Sequence, residues 1–402
     1  MNSAYPSARS DAKFHAPVPR NRGFADRVRV WWRELDKWLL GLVVLLMALG
    51  TVAVAAASPA AARQYEVAEF AFFQKHVVLQ FMGLGLMVAV SFASRDNARR
   101  LGILMAVVML GLMLLVPVFG TEVNGARRWL NVGMSLQPSE FLKPGFAVLL
   151  AWMLSWRLRD PSLPVVAYAT LAMALVAALL MLQPNLGAAI LFSGVWFVLV
   201  LLSGVSLQRL GLLIATGLGG LTAAYFLYDN ARYRIDSFFG GGTAFDQVDL
   251  AQRTILNGGW TGTGLWLGTR KMSLPEAHTD YIFSVIGEEF GLLMCAVILL
   301  LYVAIVARVL MRLVDEEDLF ALLAGAGLAA QIGGQAFINM AVNLQLFPSK
   351  GMTLPLVSYG GSSTLAVCFT LGLLLAITRR NPFLEREKPG LKNLFERKEG
   401  RA

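Results

Sequence analysis

Charged residues are scarce in this chain. Asp, Glu, Lys and Arg make up 15% of its 402 residues, whereas a soluble globular domain carries about 25%. Apolar residues make up 56%, and the mean hydropathy is +0.60. They occur in uninterrupted blocks of about 20 residues, long enough to cross a bilayer as helices. The low charge and the long apolar blocks exclude a soluble globular protein. Unbroken blocks also disfavour a β-barrel, whose strands alternate in polarity.

Cysteine and histidine are rare as well. Only two cysteines and three histidines occur, and Cys295 and Cys368 both lie inside apolar segments. No disulfide framework or cysteine metal site is therefore expected. The net charge is +9, but in a membrane protein most cations belong to cytoplasmic loops and tails. We therefore predict no nucleic-acid binding.

The apolar blocks predict an all-α polytopic membrane protein with ten transmembrane helices. They cover residues 38–57, 75–93, 101–119, 141–157, 165–182, 186–204, 209–228, 282–307, 319–343 and 354–377. A basic tail (1–37) and a second tail (381–402) flank a membrane domain (38–380), with a large extracytoplasmic loop (229–281) between helices seven and eight. Both tails are predicted to be cytoplasmic, because that orientation best satisfies the positive-inside rule.

Several cations fall on the outer side in that orientation, and three of them lie in short connections that the rule should govern. These three are Arg127, Arg128 and Lys350. Two explanations remain open from the residues alone. The cations share an anionic ligand at the outer face, or they form ordinary ion pairs with neighbouring carboxylates (Glu122, Glu140 or Glu276).

The segment from Lys271 to Glu289 places ionisable groups at the mouth of the eighth predicted helix, where they are costly and indicate function. If that helix starts near His278, Asp280 lies at its mouth and Glu288 lies roughly 12 Å deeper. The two are then not a catalytic pair. Asp280 alone can act as a general base toward a hydroxyl, or it is simply a carboxylate favoured by the helix dipole.

Three further segments interrupt the apolar pattern. Glu140 and Lys143 are spaced to meet on one helix face, either as a structural ion pair or as the charged rim of a site. The glycine-rich residues 257–264 match no phosphate-binding motif and predict a compact loop with re-entrant character. Residues 348–363 combine Pro, Gly and hydroxyl residues, and such broken backbone is tolerated only inside protein or along a wet cavity.

Four segments together resemble the SEDS family (shape, elongation, division and sporulation), in its division branch. They are Asn124-Gly-Ala-Arg-Arg-Trp129 with Gln137-Pro-Ser-Glu140 and Lys143; Gln183-Pro-Asn-Leu-Gly187; Leu274-Pro-Glu-Ala-His-Thr-Asp-Tyr-Ile-Phe-Ser-Val-Ile-Gly-Glu-Glu289; and Lys350-Gly-Met-Thr-Leu-Pro-Leu-Val-Ser-Tyr-Gly-Gly-Ser-Ser363. They occur in the family's order, and the resemblance covers residues 38–380.

The resemblance implies a glycosyltransferase that polymerises lipid II at the outer face of a bacterial inner membrane, at the division septum. It maps the catalytic base onto Asp280. Candidate contacts to the substrate are Arg127, Arg128, Trp129, Glu140, Lys143, Lys271, Glu276, His278, Lys350, Ser358 and Ser362. It also implies partners: the class B penicillin-binding protein FtsI and other division proteins of the membrane. No cofactor is expected except a divalent cation (Mg²⁺ or Mn²⁺), whose use stays open because no ligand cluster marks it.

One position departs from the family's pattern. The second segment usually reads Gln-Pro-Asp-Leu-Gly, and Asn185 replaces the aspartate here. We infer that the position is structural, since Asn keeps the turn and loses only the charge. Two other functions use the same features: a lipid II flippase without bond chemistry, and a non-catalytic scaffold for a penicillin-binding protein.

Overall fold

A computed structural model describes residues 23–380 except 124–125, 132, 134, 229–231, 233–235, 237–246 and 349–350. Asp36–Arg379 form one compact unit, and the first helix belongs to a second unit. Helices in the described residues are α1 (Phe24–Glu34), α2 (Lys37–Tyr65), α3 (Ala71–Ser91), α4 (Arg95–Phe119), α5 (Pro138–Ser155), α6 (Val165–Leu182), α7 (Leu186–Leu202), α8 (Leu207–Leu227), α9 (Gln247–Gly258), α10 (Ile282–Leu313), α11 (Leu319–Asn343) and α12 (Gly361–Ile377).

The predicted apolar segments all overlap helices of the structure. Within the described residues, six helices are long and apolar enough to cross a membrane: α2, α3, α4, α6, α10 and α11. Shorter apolar helices cover Leu186–Leu202, Gly211–Leu227 and Gly361–Ile377. The chain is therefore mostly helical and has the character of a multi-pass membrane protein, while ten crossings remain a prediction. The last predicted membrane segment, 354–377, corresponds to α12, which begins at Gly361 and not at 354. The residues before Gly361 include Pro355 and a left-handed Leu356, which interrupt a helix.

The core of the compact unit lies around α11 and α12. Helix α12 is apolar on every side and buried along almost its whole length, since α3, α5 and α11 pack against it. A helix that is hydrophobic all round is stable only when other protein or lipid surrounds it. The non-helical segment 351–360 precedes α12, and its carbonyl groups are satisfied by side chains from the helices. Tyr302 donates to the carbonyl oxygen of Pro355, and Gln80 donates to that of Leu356.

A small sheet corrects the all-α prediction. Strands β1 (Thr121–Val123), β2 (Ala126–Asn131) and β3 (Ser135–Leu136) form an antiparallel sheet in that order. Burial partly alternates along β2, with Ala126 and Leu130 buried and Arg127 and Asn131 exposed. This is the pattern of a strand with one covered face. Asn124 and Gly125, which connect β1 and β2, lie outside the described residues.

Helix α10 is broken at Gly291, whose φ of 80° is not helical. The break leaves backbone groups without partners in their own helix, and the glycine-rich loop supplies them. The amides of Thr263 and Gly264 donate to the carbonyl oxygens of Glu288 and Glu289 at 2.9 and 3.0 Å. A Cβ on Gly262 would lie 2.1 Å from the carbonyl oxygen of Glu289. The glycine-rich loop is therefore a backbone partner of α10, and its re-entrant character stays a prediction.

Candidate functional site

Asp280 lies in the turn before α10 and its side chain is partly exposed. Helix α10 begins at Ile282, the first residue of the predicted segment 282–307, and not at the alternative start near His278. The carbonyl oxygen of Asp280 accepts hydrogen bonds from the side-chain amides of Asn339 (2.8 Å) and Asn343 (3.0 Å). The turn that carries the predicted base is thus held from behind by α11.

Gly351 borders the carboxylate of Asp280. A Cβ built on Gly351 would lie 3.4 Å from Oδ2 of Asp280 and 3.9 Å from Nη1 of Arg128. The carboxylate and the guanidinium group therefore face one small space next to Gly351. Its φ of +58° is also a conformation that residues with a Cβ seldom adopt. A Cβ here would be in van der Waals contact with both charged groups, so it is the positive φ that favours glycine at this position.

Arg128 connects two of the segments that carry the family resemblance. Its Nε donates to the carbonyl oxygen of Gln183 at 3.0 Å, and its Nη2 donates to that of Pro184. The next residue, Asn185, is buried, and its Oδ1 accepts from the amide of Ala188 at 3.3 Å. Asn185 thus caps the start of α7, which agrees with a structural role for the position that departs from the family's pattern.

Arg127 and Trp129 flank Arg128 on β2. Arg127 is exposed and pairs with Glu122 across the β1–β2 pair at 3.2 Å. Of the two explanations for a cation at this position, an anionic ligand or an ordinary ion pair, the structure shows an ion pair for Arg127. Trp129 is half-buried, and its carbonyl oxygen accepts from the hydroxyl of Thr121 at 3.2 Å.

Glu140 and Lys143 form the i, i+3 ion pair that their spacing predicts. Nζ of Lys143 lies 2.7 Å from Oε1 of Glu140 and 2.9 Å from Oε1 of Gln335, and Lys143 is buried. Nε2 of Gln335 in turn donates a hydrogen bond to the carbonyl oxygen of Thr353 at 3.0 Å. The pair therefore joins α5, α11 and the segment before α12. Since these hydrogen bonds occupy the ammonium group of Lys143, the structure favours the structural reading over a contact with substrate.

Lys271, another predicted substrate contact, lies in a buried ion pair. Its side chain is fully buried, its Nζ pairs with Glu289, and the same atom donates to the carbonyl oxygen of Ala56 at 2.6 Å. A buried ammonium group with these partners has no open side for a diphosphate. Glu288 is equally engaged, since it accepts from Nδ2 of Asn257 at 2.8 Å and from the amide of Lys271 at 2.9 Å. Glu288 is thus part of the packing around the break in α10, not a partner of Asp280.

His278 and Glu276 shape the loop that leads to Asp280. The His278 ring packs 4.3 Å from the ring of Phe72 and 5.5 Å from that of Tyr359. Burial lowers the pKa of His278 from 6.5 to about 4, against the opposing effect of the Glu276 charge. The imidazole is therefore neutral at physiological pH. Glu276 accepts from the hydroxyl of Tyr65 at 2.9 Å and from that of Thr279 at 2.7 Å.

Ser358 and Ser362, two of the predicted substrate contacts, use their hydroxyl groups within the protein. The hydroxyl of Ser358 donates to the carbonyl oxygen of Thr279 at 2.5 Å and accepts from the amide of Leu354 at 2.8 Å. Ser362 donates to the carbonyl oxygen of Ser135 at 2.8 Å. Both serines tie the segment before α12 to neighbouring loops. Lys350 lies outside the described residues.

A polar stripe on α11 escaped the sequence analysis. Its members recur every four residues inside an apolar helix and are all buried: Gln331, Gln335, Asn339 and Asn343. Residues at this spacing share one face of a helix, and polar side chains inside a membrane segment indicate function or an obligatory partner. That pattern was visible in the sequence and would have pointed to the α11 face behind Asp280.

No metal centre can be assigned within the described part of the chain. It contains no group of three or more His, Cys, Asp or Glu side chains arranged to hold an ion. A divalent cation therefore stays a prediction.

Comparison with known proteins decides the family. A model described as "Cell cycle protein" and built on FtsW, RodA and SpoVE matches residues 36–382. The chain belongs to the FtsW/RodA/SpoVE family. This confirms the resemblance to SEDS proteins drawn from the four segments.

Relatives within the FtsW/RodA/SpoVE family are similar over most of their length. The chain is 37% identical over 356 residues to the probable peptidoglycan glycosyltransferase FtsW of Caulobacter vibrioides, covering 88% of this chain and 91% of that protein. It is 35% identical over 380 residues to the protein of the same name from Burkholderia thailandensis, covering 88% and 80%.

Solved structures of the family share the fold. One of these structures carries the description "Structural coordination of polymerization and crosslinking by a peptidoglycan synthase complex". Its chain matches with a TM-score of 0.72 and 31% identity, over 88% of the present chain and 99% of the matched chain. The rod shape determining protein RodA of Thermus thermophilus matches with a TM-score of 0.66 and 30% identity, over 87% and 98%.

Proposed function

We propose that this chain is a peptidoglycan glycosyltransferase that polymerises lipid II into β-1,4-linked glycan strands during septal wall synthesis. Relatives named for that activity align with most of the chain. The observation that carries the proposal to particular atoms is the arrangement at Gly351, where the carboxylate of Asp280 and the guanidinium group of Arg128 face one space. A base next to a cation is what transfer of a sugar from a diphosphate requires.

Asp280 acts as the general base in this proposal. Its carboxylate takes the proton from the C4 hydroxyl of the acceptor sugar, and the oxygen attacks the anomeric carbon of the donor. The C–O bond to the undecaprenyl diphosphate breaks as the new bond forms, and the diphosphate leaves with the electron pair. The α-linked donor becomes a β-linked product, because one base without a carboxylate partner supports a single displacement with inversion.

Arg128 is the cation best placed for the leaving diphosphate. Two of its nitrogens bind the Gln183-Pro184 turn, and Nη1 lies near the space next to Gly351. Such a fixed cation stabilises charge that develops in the transition state without reorganising. Lys350, the neighbour of Gly351 in sequence, is proposed as a second cation. We do not assign this role to Lys143 or Lys271, because both ammonium groups are buried in ion pairs.

The surroundings of the reaction follow from the family. We propose that the chain crosses a bacterial inner membrane ten times with both termini in the cytoplasm and that Asp280 faces the outer side. Lipid II then enters laterally from the bilayer. A class B penicillin-binding protein, FtsI, is proposed as the partner that crosslinks the strands, since one structural relative was described as part of a complex that couples polymerisation and crosslinking.

The test is polymerisation of purified lipid II by the protein with its class B partner. Asp280→Asn should abolish glycan strands, because an amide cannot take the proton, while Asp160→Asn is the matched control. Asp160 lies in an exposed loop and its carboxylate accepts only from Ser162 in the same turn. Full activity of Asp280→Asn would refute the base, and lipid II transport in vesicles without any polymer would favour a flippase.

A further inference from the structure

The carbonyl group of Asp280 stands outside its helix. Helix α10 starts at Ile282 with Tyr281 as the flanking residue, so the first carbonyl that the helix can use belongs to Tyr281. A carbonyl in this position needs another donor, because buried backbone groups are almost always paired. The donors are two side chains of α11, Asn339 and Asn343.

The orientation of Asn343 is determined by its partners. Its Oδ1 lies 3.1 Å from the amide nitrogen and 2.7 Å from the hydroxyl oxygen of Ser284. A backbone amide can only donate, so the atom of Asn343 that faces it must be the oxygen. The NH₂ group then faces the carbonyl oxygen of Asp280. Asn343 therefore holds the turn on both sides of the start of α10.

Asn339 joins the two segments that border the proposed reaction space. Its Nδ2 donates to the carbonyl oxygen of Asp280 at 2.8 Å and to that of Met352 at 2.6 Å. Met352 follows Gly351, the residue next to the Asp280 carboxylate. The buried NH₂ group of Asn339 thus donates its two protons to two acceptors. It fixes the distance between the turn that carries Asp280 and the segment that carries Met352.

We propose that Asn339 and Asn343 are positioning residues for the general base. They act on the backbone of Asp280 and on Met352, so they set the place of the carboxylate without touching substrate. Both are buried in an apolar helix, where an amide is costly and packing alone would be served by leucine or alanine. The inference rests on the proposed function of Asp280.

Steady-state kinetics of lipid II polymerisation test the proposal, with the full chain and its partner. Asn339→Ala and Asn343→Ala should lower kcat about 10- to 100-fold, because a displacement of about 1 Å can cost that much. KM should change less than about threefold, since ground-state contacts persist. Gln331→Ala is the matched control. It lies on the same face of α11, is equally buried, and its amide donates to the hydroxyl of Thr370, away from Asp280.

A second variant covers the case in which an alanine variant does not fold. Asn339→Asp keeps the shape of the side chain, but a carboxyl group donates only when it is protonated. The ratio of its kcat to that of the wild type should therefore rise as the pH falls from about 8 to about 6. Taking the ratio removes the titration of Asp280 in the wild type. The ratio for Gln331→Ala should be the same at every pH.

The outcomes separate this inference from the proposed function. If Asp280→Asn is inactive and the asparagine variants keep wild-type kcat, the positioning role is overturned and the function stands. The same conclusion follows from a flat pH ratio for Asn339→Asp. If Asp280→Asn keeps full activity, the base assignment fails and takes the positioning role with it. A selective loss of kcat with the predicted pH ratio supports both.

Discussion

The buried pair of Lys271 and Glu289 offers the sharpest prediction, because it separates a structural from a substrate-binding lysine. Lys271→Met removes the cation and leaves the Glu289 carboxylate buried without its partner. Breaking a buried ion pair on one side costs about 3–5 kcal/mol. The carbonyl group of Ala56 also loses its side-chain donor, but Ala56 lies inside α2, where a carbonyl group accepts from the backbone amide four residues later, so this loss adds less than the broken ion pair.

Replacing both partners should restore most of this stability. In Lys271→Met combined with Glu289→Gln no charge remains, and the glutamine oxygen can still accept from the amide of Trp266, as Glu289 does at 2.8 Å. We expect the double variant to regain about 2 kcal/mol or more over Lys271→Met, since neighbouring residues couple by up to about 3 kcal/mol. Denaturant unfolding of the purified protein in detergent, read by tryptophan fluorescence, measures both values.

The same variants decide the role of Lys271 in activity. If the lysine only pairs with Glu289, the double variant polymerises lipid II nearly as well as the wild type once its stability returns. A double variant that is stable and inactive would show that Lys271 contacts the substrate. A single variant with wild-type stability would show that the two side chains are not paired in the protein.

Three other perturbations have defined outcomes. Gly351→Ala should cost about 1 kcal/mol of stability, because residue 351 has a left-handed φ. It should also lower kcat by about tenfold or more, because the added methyl group enters the space next to the Asp280 carboxylate. Denaturant unfolding and steady-state kinetics of the same preparation measure the stability and kcat. Asn185→Asp should keep wild-type activity and change the free energy of unfolding by no more than about 1 kcal/mol, because both residues cap helices well; a tenfold change in polymerisation would argue for a chemical role. His278 has a lower pKa in the folded than in the unfolded protein. The unfolded chain therefore binds more protons between about pH 6.5 and pH 4. The free energy of unfolding should fall by up to about 3 kcal/mol as the pH drops through that window. His278→Phe should remove the part of this pH dependence that His278 contributes, measured as unfolding midpoints at several pH values, and an unchanged dependence would contradict the assignment.

Local patterns predicted much of the fold. Each apolar block overlaps a helix because a run of about 20 apolar residues has few alternatives in a membrane. The Glu140–Lys143 pair follows from spacing alone, since residues three apart meet on one helix face. Asp280 was also singled out from its place at the start of an apolar segment, although the helix begins two residues after it and not before it.

Long-range partners could not be predicted in the same way. Lys271 was assigned to the substrate because its charge was visible and its partners were not. Glu289 is 18 residues away and Ala56 is 215 residues away, and one sequence carries no record of which segments meet. The partners of Ser358 and Ser362 within the protein could not be predicted for the same reason. The break at Gly291 was missed because one glycine in an apolar run does not mark a helix end by itself.

That break has a consequence for how the protein is made. The first part of α10 carries Glu288 and Glu289, two carboxylates that lipid alone would not accept. Their hydrogen-bond donors come from residues 257–271, and these leave the ribosome before α10 does. The order of synthesis therefore supplies the donors ahead of the carboxylates. We expect α10 to enter the membrane together with this preceding segment as one hairpin-like unit, and not as a helix that inserts alone.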